Sequence, residues 1–443
     1  MTDPSQGAEQ AGTRAMTVRG AAFLGVGSMV GAGIFALLGE AGAVAGSAVW
    51  VSFLVAGIVA LLQGYAVAKL GATYPSSGGL ITFLIQGYGR GHTTSITSWL
   101  LYFASLIVTA MVSVSFGSYA TALLIKDADP GAWDNILTTA LVVAVAAVNI
   151  AGAKFIDRVQ SVIVVVLLAV FAVFIVVTLS QIDPELLAPS TYPERSAIVS
   201  SVALTFFAYL GFAVITFTGG DLPDADKNLP RAMYLALGIT TTLYILIAVG
   251  VFGTLTVEEV IENGDTALAV AAQPALGDAG FAMMAVAALL ATSSSVNANI
   301  YAATGSTAKL AESGLFPPVF GQLARVGGTR GLVISVLLVL LLANLVDLTA
   351  IASLGSVVAL VIFLVTSLGA YRLRREIGAS AWVLVAAIAL TAGVLVVFAA
   401  ETLRTAPETF TAMIGVLVLA TALDLLWSRV RQHRQTSQQS PRT

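Results

Sequence analysis

A chain of 443 residues that is 58% hydrophobic, only 10% charged and +0.93 in mean hydropathy has too little polar surface to coat a water-soluble globule. Its formal charge of -3 is uninformative by itself, but the absence of cysteine excludes disulfides and thiol chemistry, and two histidines leave little for a soft-ligand metal site. Apolar runs near 20 residues recur from end to end, and the shorter alternating segments of a β-barrel are absent, so the fold class is all-α, a polytopic membrane helical bundle.

Residues 1–16 read as a polar cytoplasmic tail, disordered and without the apolar core of a cleaved signal peptide. Twelve spans follow, at 17–40, 47–72, 93–124, 133–151, 155–180, 197–219, 232–255, 280–304, 331–346, 348–371, 381–400 and 407–428, and 429–443 form a second cytoplasmic tail. With both termini inside, only Lys126, Arg195 and Arg404 of the 21 basic residues fall outside, a bias that a miscounted span would scramble. The loop bearing Glu258, Glu259, Glu262 and Asp265 has no basic residue and is placed outside.

The first span carries Gly25 to Phe35, GVGSMVGAGIF, with four glycines at mid-membrane. Glycine weakens a helix and lets other groups approach its backbone, so a broken helix is expected there. Gly27 and Gly31 alone would equally suit a small-residue packing face, and Gly33 tips the reading towards a backbone opening. The amides of Gly31, Ala32 and Gly33 would then begin a second half-helix and attract a carboxylate, while the carbonyls of residues 27–29 attract an ammonium. The sixth span repeats the theme in Phe206-Phe207-Ala208-Tyr209-Leu210-Gly211-Phe212, where aromatics and a glycine sit at mid-membrane. Two corresponding interrupted helices, five spans apart, are the pattern of a 5+5 inverted repeat over residues 17–371, with residues 372–428 outside it.

These segments resemble the amino acid-polyamine-organocation permeases, whose first helix carries a similar G-S-x-x-G-x-G-I-F signature. Tyr74-Pro75-Ser76-Ser77-Gly78-Gly79 is similar to that family's Y-P-x-x-G-G segment, Lys227-Asn228-Leu229-Pro230-Arg231-Ala232 to its K-N-x-P-x-A turn, and Gly314-Leu315-Phe316-Pro317 follows the eighth span. The resemblance implies a LeuT-like fold with discontinuous first and sixth helices and a role as an amino acid permease. Carried over by position, carboxylate-binding amides fall at Ala32 and Gly33 and the amino-group acceptor at the Met29 carbonyl. The gating aromatic falls at Phe207, with Ala208 and the Leu210 carbonyl beside it, and pocket positions of the third helix fall at Ala104, Ser105, Thr109 and Val112.

No charged residue stands near the centre of the first, third, sixth, eighth or tenth spans. A substrate with a second charge would lack a partner there, which favours neutral amino acids over polyamines and, less strongly, over cationic amino acids. The lysine that several proton-coupled members place in the fifth helix is absent, Leu167 standing at about its position. Ala291, Ser294 and Ser295 on the eighth span are instead similar to the sodium ligands of related transporters, although a small-residue helix interface suits them as well. The coupling ion is thus expected to be Na⁺ or H⁺, with uniport and exchange open. Asp221, Asp224, Asp226 and Lys227 form a solvated inner loop with a conceivable gating pair to Arg90 or Arg158, and Arg429, Arg431 and Arg434 a juxtamembrane basic patch. The implied partners are an amino acid and the lipid bilayer, with no nucleic acid and no cofactor. A membrane enzyme would need titratable groups converging within the spans, which are missing, and an amino-acid-binding sensor is the reading from another class.

Overall fold

The computed structural model describes residues 16–125, 130–151, 156–324 and 328–439, and for residues 130, 156–161 and 432–439 the backbone alone. The expected tail at 1–15, Lys154 and the Arg158 side chain fall outside the described parts. The chain is a bundle of helices: α1 (Val18–Ala32), α2 (Ile34–Ala45), α3 (Val49–Thr73), α4 (Gly79–Tyr88), α5 (His92–Leu124), α6 (Pro130–Ala151), α7 (Ile156–Leu179) and α8 (Arg195–Ala208). A 3₁₀ segment, Leu210–Gly220, leads to α9 (Ala225–Phe252), α10 (Val257–Asn263), α11 (Ala267–Val270), α12 (Gln273–Glu312), α13 (Arg330–Leu345), α14 (Leu348–Arg372), α15 (Ala381–Thr405) and α16 (Pro407–Gln439). Among the described residues ten helical stretches are long and apolar enough to cross a membrane, Ile34–Thr73 counting as one, while α1, α4 and α13 are shorter apolar helices.

Several boundaries differ from the sequence reading. The first expected span is two helices that continue to Ala45, and Lys227 to Ala232 lie inside the opening turns of α9, not in a turn. Asp224, at φ 45°, caps that helix from the left-handed region, and its carbonyl accepts the amides of Lys227 and Asn228, so the helix is under way before Pro230. Helix α12 runs well beyond 280–304 at both ends, kinked at Gly277, and α16 carries the expected second tail in helical form to Gln439.

With no hydrophobic drive between helices in lipid, hydrogen bonds and close backbone approach hold such a bundle. The buried Gln63 amide of α3 donates to Thr391 Oγ1 (2.6 Å) and the Ala387 carbonyl (3.3 Å) of α15 and accepts from Ser367 Oγ (2.5 Å) of α14, so one fully partnered side chain ties three helices. Helix α8 is anchored likewise: Ser201 Oγ donates to the Ala41 carbonyl, Thr205 Oγ1 to that of Ser52 and Tyr209 Oη to that of Phe53. Trp99 stacks on Phe316 at 3.9 Å, and the Gly314 carbonyl accepts from Trp427 Nε1 (2.9 Å) and Arg431 (3.3 Å), which makes the Gly314 to Pro317 segment the anchor of α16. At the other end of this seam the buried Asp424 of α16 meets His92 Nδ1 at 2.5 Å. Tyr74 Oη donates to Glu376 (2.5 Å), tying the Tyr74 to Gly79 segment to the α14–α15 connection. Burial, that bond and the Glu376 charge push the phenol up to about 12. Apolar side chains of α7, α15 and α16 such as Val162, Val176, Trp382 and Leu426 face outward, as a lipid-facing belt requires.

Candidate functional site

Two helices stop in mid-bundle against each other. The last bond of α1 runs from the Gly33 amide to the Met29 carbonyl (2.7 Å) and the first of α2 from the Leu37 amide to the Gly33 carbonyl (2.9 Å). The carbonyls of Val30, Gly31 and Ala32 and the amides of Ile34, Phe35 and Ala36 therefore belong to neither ladder. The second half-helix starts later than the sequence suggests, so the Gly31 and Ala32 amides lie in the last turn of α1. Gly33 itself has φ -103°, open to any residue, and its glycine is a matter of room. A β-carbon there would stand 2.4 Å from Tyr244 Oη, 2.7 Å from the Ala208 carbonyl oxygen and 2.8 Å from the Ala208 β-carbon.

The second interruption is at Tyr209, whose amide bonds back to the Phe206 carbonyl (3.0 Å), after which the chain winds as a 3₁₀ helix. Gly211 lies on the backbone of α1: a β-carbon there would be 2.5 Å from the Met29 nitrogen and 2.6 Å from the Ser28 carbonyl carbon. Gly33 thus presses on the end of α8 and Gly211 on the end of α1, each glycine admitting the other broken chain. Tyr244, fully buried on α9, bridges them, its Oη donating to the Met29 carbonyl at 2.6 Å and lying 3.2 Å from that of Ala208. The Met29 oxygen expected to accept an amino group already takes the Gly33 amide and this hydroxyl. Tyr244 escaped the sequence reading because one aromatic in an apolar helix looks like any other until the two breaks are folded onto it.

Beside the breaks is a cavity of about 130 Å³. Of the residues singled out from sequence, Ala32, Ser105, Phe207 and Leu210 line it, as does Ala104. Met29, Gly31, Gly33 and Ala208 lie in the breaks without lining it, and Val112 does not line it either. Thr109 is buried and its hydroxyl donates to its own helix at the Ser105 carbonyl (2.6 Å), so it is turned from the cavity. Phe207, 2% exposed, lies against α14, where a β-carbon on Gly355 would come within 2.1 Å of its ring. The lining includes no α5 residue beyond Val108 but does include Leu80 and Ile81 of α4, so Phe207 closes one side and the cavity runs towards α4 on the other. No lining residue is charged. Ser28 and Asn299, also in the wall, were missed; Asn299 is four residues from Ser295 and so on the same helix face, a spacing that marked it in advance.

Gly31 packs on α12, where a β-carbon would meet the Ala291 carbonyl oxygen at 2.7 Å and the Ser295 β-carbon at 3.0 Å. Ala291 and Ser295 are buried, Ser294 lies in the same turn, and Ser295 Oγ accepts from Asn299 Nδ2 (3.3 Å). The Ala291 carbonyl and Ser295 thus lie against the end of α1, and among the described residues no group of three or more His, Cys, Asp or Glu side chains could hold a metal ion. Leu167 is buried in α7.

At the opposite end from α4, the turn Gly264–Thr266 closes over α2 and α5. Gly39 packs against the Gly264 carbonyl, and Asp265 accepts from Ser118 Oγ at 2.8 Å. Burial and, secondarily, the Asp134 carboxylate push the Asp265 pKa up, while the Ser118 bond opposes them. Glu258 and Glu259 open α10, where Thr256 and Glu259 form a capping box.

The comparisons with known proteins agree with this architecture. The family model described as amino acid permease matches residues 16–420. The inner membrane transport protein YbaT of Escherichia coli is 32% identical over 407 residues, 92% of this chain and 94% of the relative. Two Bacillus subtilis proteins match over shorter stretches: the branched-chain amino acid permease BcaP, 27% identical over 51% of each chain, and the serine/threonine exchanger SteT, 26% identical over 62% of this chain and 63% of its own. Ten apolar helical stretches, an uncharged cavity at two interrupted helices and a family match over most of its length lead to one assignment: the chain belongs to the amino acid permease family of the amino acid-polyamine-organocation superfamily, a multi-pass membrane transporter and not an enzyme.

Proposed function

We propose that the protein carries amino acids with neutral side chains across the cell membrane by alternating access. The observation that carries this reading is the meeting of opposite helix ends at Gly33 and Ala208, the amide end of α2 beside the carbonyl end of α8, next to a cavity wall without charge. An amide end favours a carboxylate and a carbonyl end an ammonium, so the pair selects a zwitterion. The carboxylate is assigned to the free amides of Ile34, Phe35 and Ala36, just past the expected Ala32 and Gly33, and the ammonium to the end of α8 and the Met29 carbonyl, displacing the Tyr244 hydroxyl. BcaP and SteT, by their names, act on neutral amino acids, which supports the same class here.

In this proposal α1 with α2 forms one broken span and α8 with the 3₁₀ segment another. Helices α3, α5, α6, α7, α9, α12, α13, α14, α15 and α16 supply ten more, in the 5+5 LeuT-like arrangement followed by two further helices. Both termini are cytoplasmic, which makes the cavity's open side, next to α4, the inner one. Outward opening withdraws Phe207 from Gly355. Coupling is assigned to Na⁺ held by the Ala291 carbonyl, Ser294 and Ser295 facing α1, in preference to a lysine-based proton step, since Leu167 cannot titrate. Uptake into proteoliposomes of a panel of amino acids, with and without a sodium or proton gradient, tests the proposal. Neutral amino acids driven by sodium are expected; absence of both transport and binding for every amino acid overturns it.

A further inference from the structure

Asn299 holds its amide in one sense only. Its Nδ2 donates to the Ser295 carbonyl (2.9 Å), an oxygen that can do nothing but accept, so the nitrogen faces back along α12 and Oδ1 is on the other side. Asn299 is part of the cavity wall, and among the described residues no group donates to its Oδ1. The contrast with Asn297, two residues earlier, is instructive: Asn297 Oδ1 accepts from Asn149 Nδ2 of α6 at 2.9 Å and serves to join two helices. Among the described residues the Asn299 oxygen has no such structural partner.

Its place along α12 decides what it meets. Ser295 packs on Gly31 at the end of α1, and Asn299, one turn on, lies about 6 Å further towards α4. The main-chain ends of a bound zwitterion belong at the break, so the group reaching Asn299 is the substrate's side chain. Beside it Ser105 Oγ donates to the Asn299 main-chain carbonyl at 3.5 Å, and the wall beyond holds Ala302, Ala303, Ser306 and Thr307, the last bonded back to its own helix. The wall's hydroxyls can donate or accept, whereas Asn299 Oδ1 can only accept, so among these side-chain oxygens it is the one that demands a donor. A ligand hydroxyl satisfies it, whereas a methyl of the same shape strips its water and gives nothing in return.

We infer that Asn299 reads the side chain of the transported amino acid and selects a hydroxyl donor over the isosteric methyl, so that the preferred substrates are small hydroxy amino acids. This rests on the permease reading above and narrows it.

The test uses the full-length protein in proteoliposomes and two pairs of equal shape, threonine against valine and serine against alanine. The wild type is expected to favour the hydroxyl member about tenfold in initial uptake rate, the discrimination that an unpaired, partly buried acceptor enforces. In Asn299→Leu the ratio is expected to fall to about one or to invert, with valine uptake retained. Should that variant not fold, Asn299→Ala is measured in its place and the same ratio decides. Equal uptake of threonine and valine by the wild type overturns the inference. So does a variant in which all four substrates weaken together at unchanged ratio, since Asn299 would then serve the common ammonium. If no amino acid is transported or bound by the wild type, the permease reading itself fails.

Discussion

The two interruptions at the centre of the bundle are built differently. At Gly33 the chain misses one residue of helix and resumes α geometry at Ile34, and the deciding factor is space, because Tyr244 and Ala208 crowd the α-carbon. At Tyr209 the chain does not resume: eleven residues, Leu210–Gly220, continue as 3₁₀ helix, with bonds of poorer geometry than an α-helix offers. A 3₁₀ run of that length is unusual and marks a segment held by its neighbours more than by itself. One break is therefore a tight notch and the other a compliant arm, and the transporter needs both, a fixed seat for the substrate's ends and a part that moves around it.

The largest effect is expected at the notch. Gly33→Leu drives a branched side chain into the Tyr244 hydroxyl and the end of α8 and should abolish amino acid binding, a loss of at least about a hundredfold by isothermal titration, if the notch is the seat. Binding at normal strength would dissolve the distinction between the two breaks. On the arm side, Phe207→Ala removes the ring that lies on Gly355, and uptake should fall by about tenfold or more, with detergent-solubilised protein still monodisperse and its melting temperature lowered by only a few degrees. A variant that loses fold and uptake together would make Phe207 a packing residue.

Tyr244→Phe probes the joint between them. Deleting the hydroxyl leaves the Met29 and Ala208 carbonyls without their shared donor and should cost about 1 kcal/mol of stability in the empty protein. Because a bound ammonium would replace that donor, the thermal shift on adding substrate should be larger in the variant than in the wild type. The smallest effect is expected far from both breaks, at Asp265. Burial raises the pKa of this carboxylate, so the state in which it is packed on Ser118 binds the proton more tightly. That state gains as pH falls towards and below the raised value and weakens as pH rises through it. The charged groups acting on Asp265 and on the adjoining Glu40 are Asp134 and Asp347, with no described cation to reverse the sign. Uptake by Asp265→Asn should accordingly depend less on pH than that of the wild type, by about twofold over the acid range above the ordinary carboxylate value.

Much of this was legible in the chain. The ends of α3, α5, α13 and α14 fall within two residues of the hydrophobic runs, since length and apolarity suffice for an unbroken helix. The glycine cluster gave the first interruption because a break needs small residues in the break itself. It could not give the restart at Ile34, which depends on Tyr244 and Ala208, residues remote in sequence. Lys227 to Ala232 read as a turn through their similarity to the family's K-N-x-P-x-A segment, whereas the left-handed Asp224 starts the helix before it. Thr109 read as a pocket residue by its position in the resembled family, but a hydroxyl one turn above a carbonyl bonds to it, here that of Ser105. Asn299 was legible through its spacing of four from Ser295, but an amide in a helix of small residues carries no signal of which neighbour its oxygen will lack.

The Tyr244 phenol has one further consequence. A carrier that has let go of its passenger must reorient alone before it can load again, and naked dipoles inside the bilayer would resist that step. With the ammonium seated at the Met29 carbonyl as proposed, the protein would supply its own substitute, the Tyr244 hydroxyl already bonded to that oxygen. The proposed seating would then spare the unloaded form that cost, and net delivery without a swap of one molecule for another is what it leads one to expect.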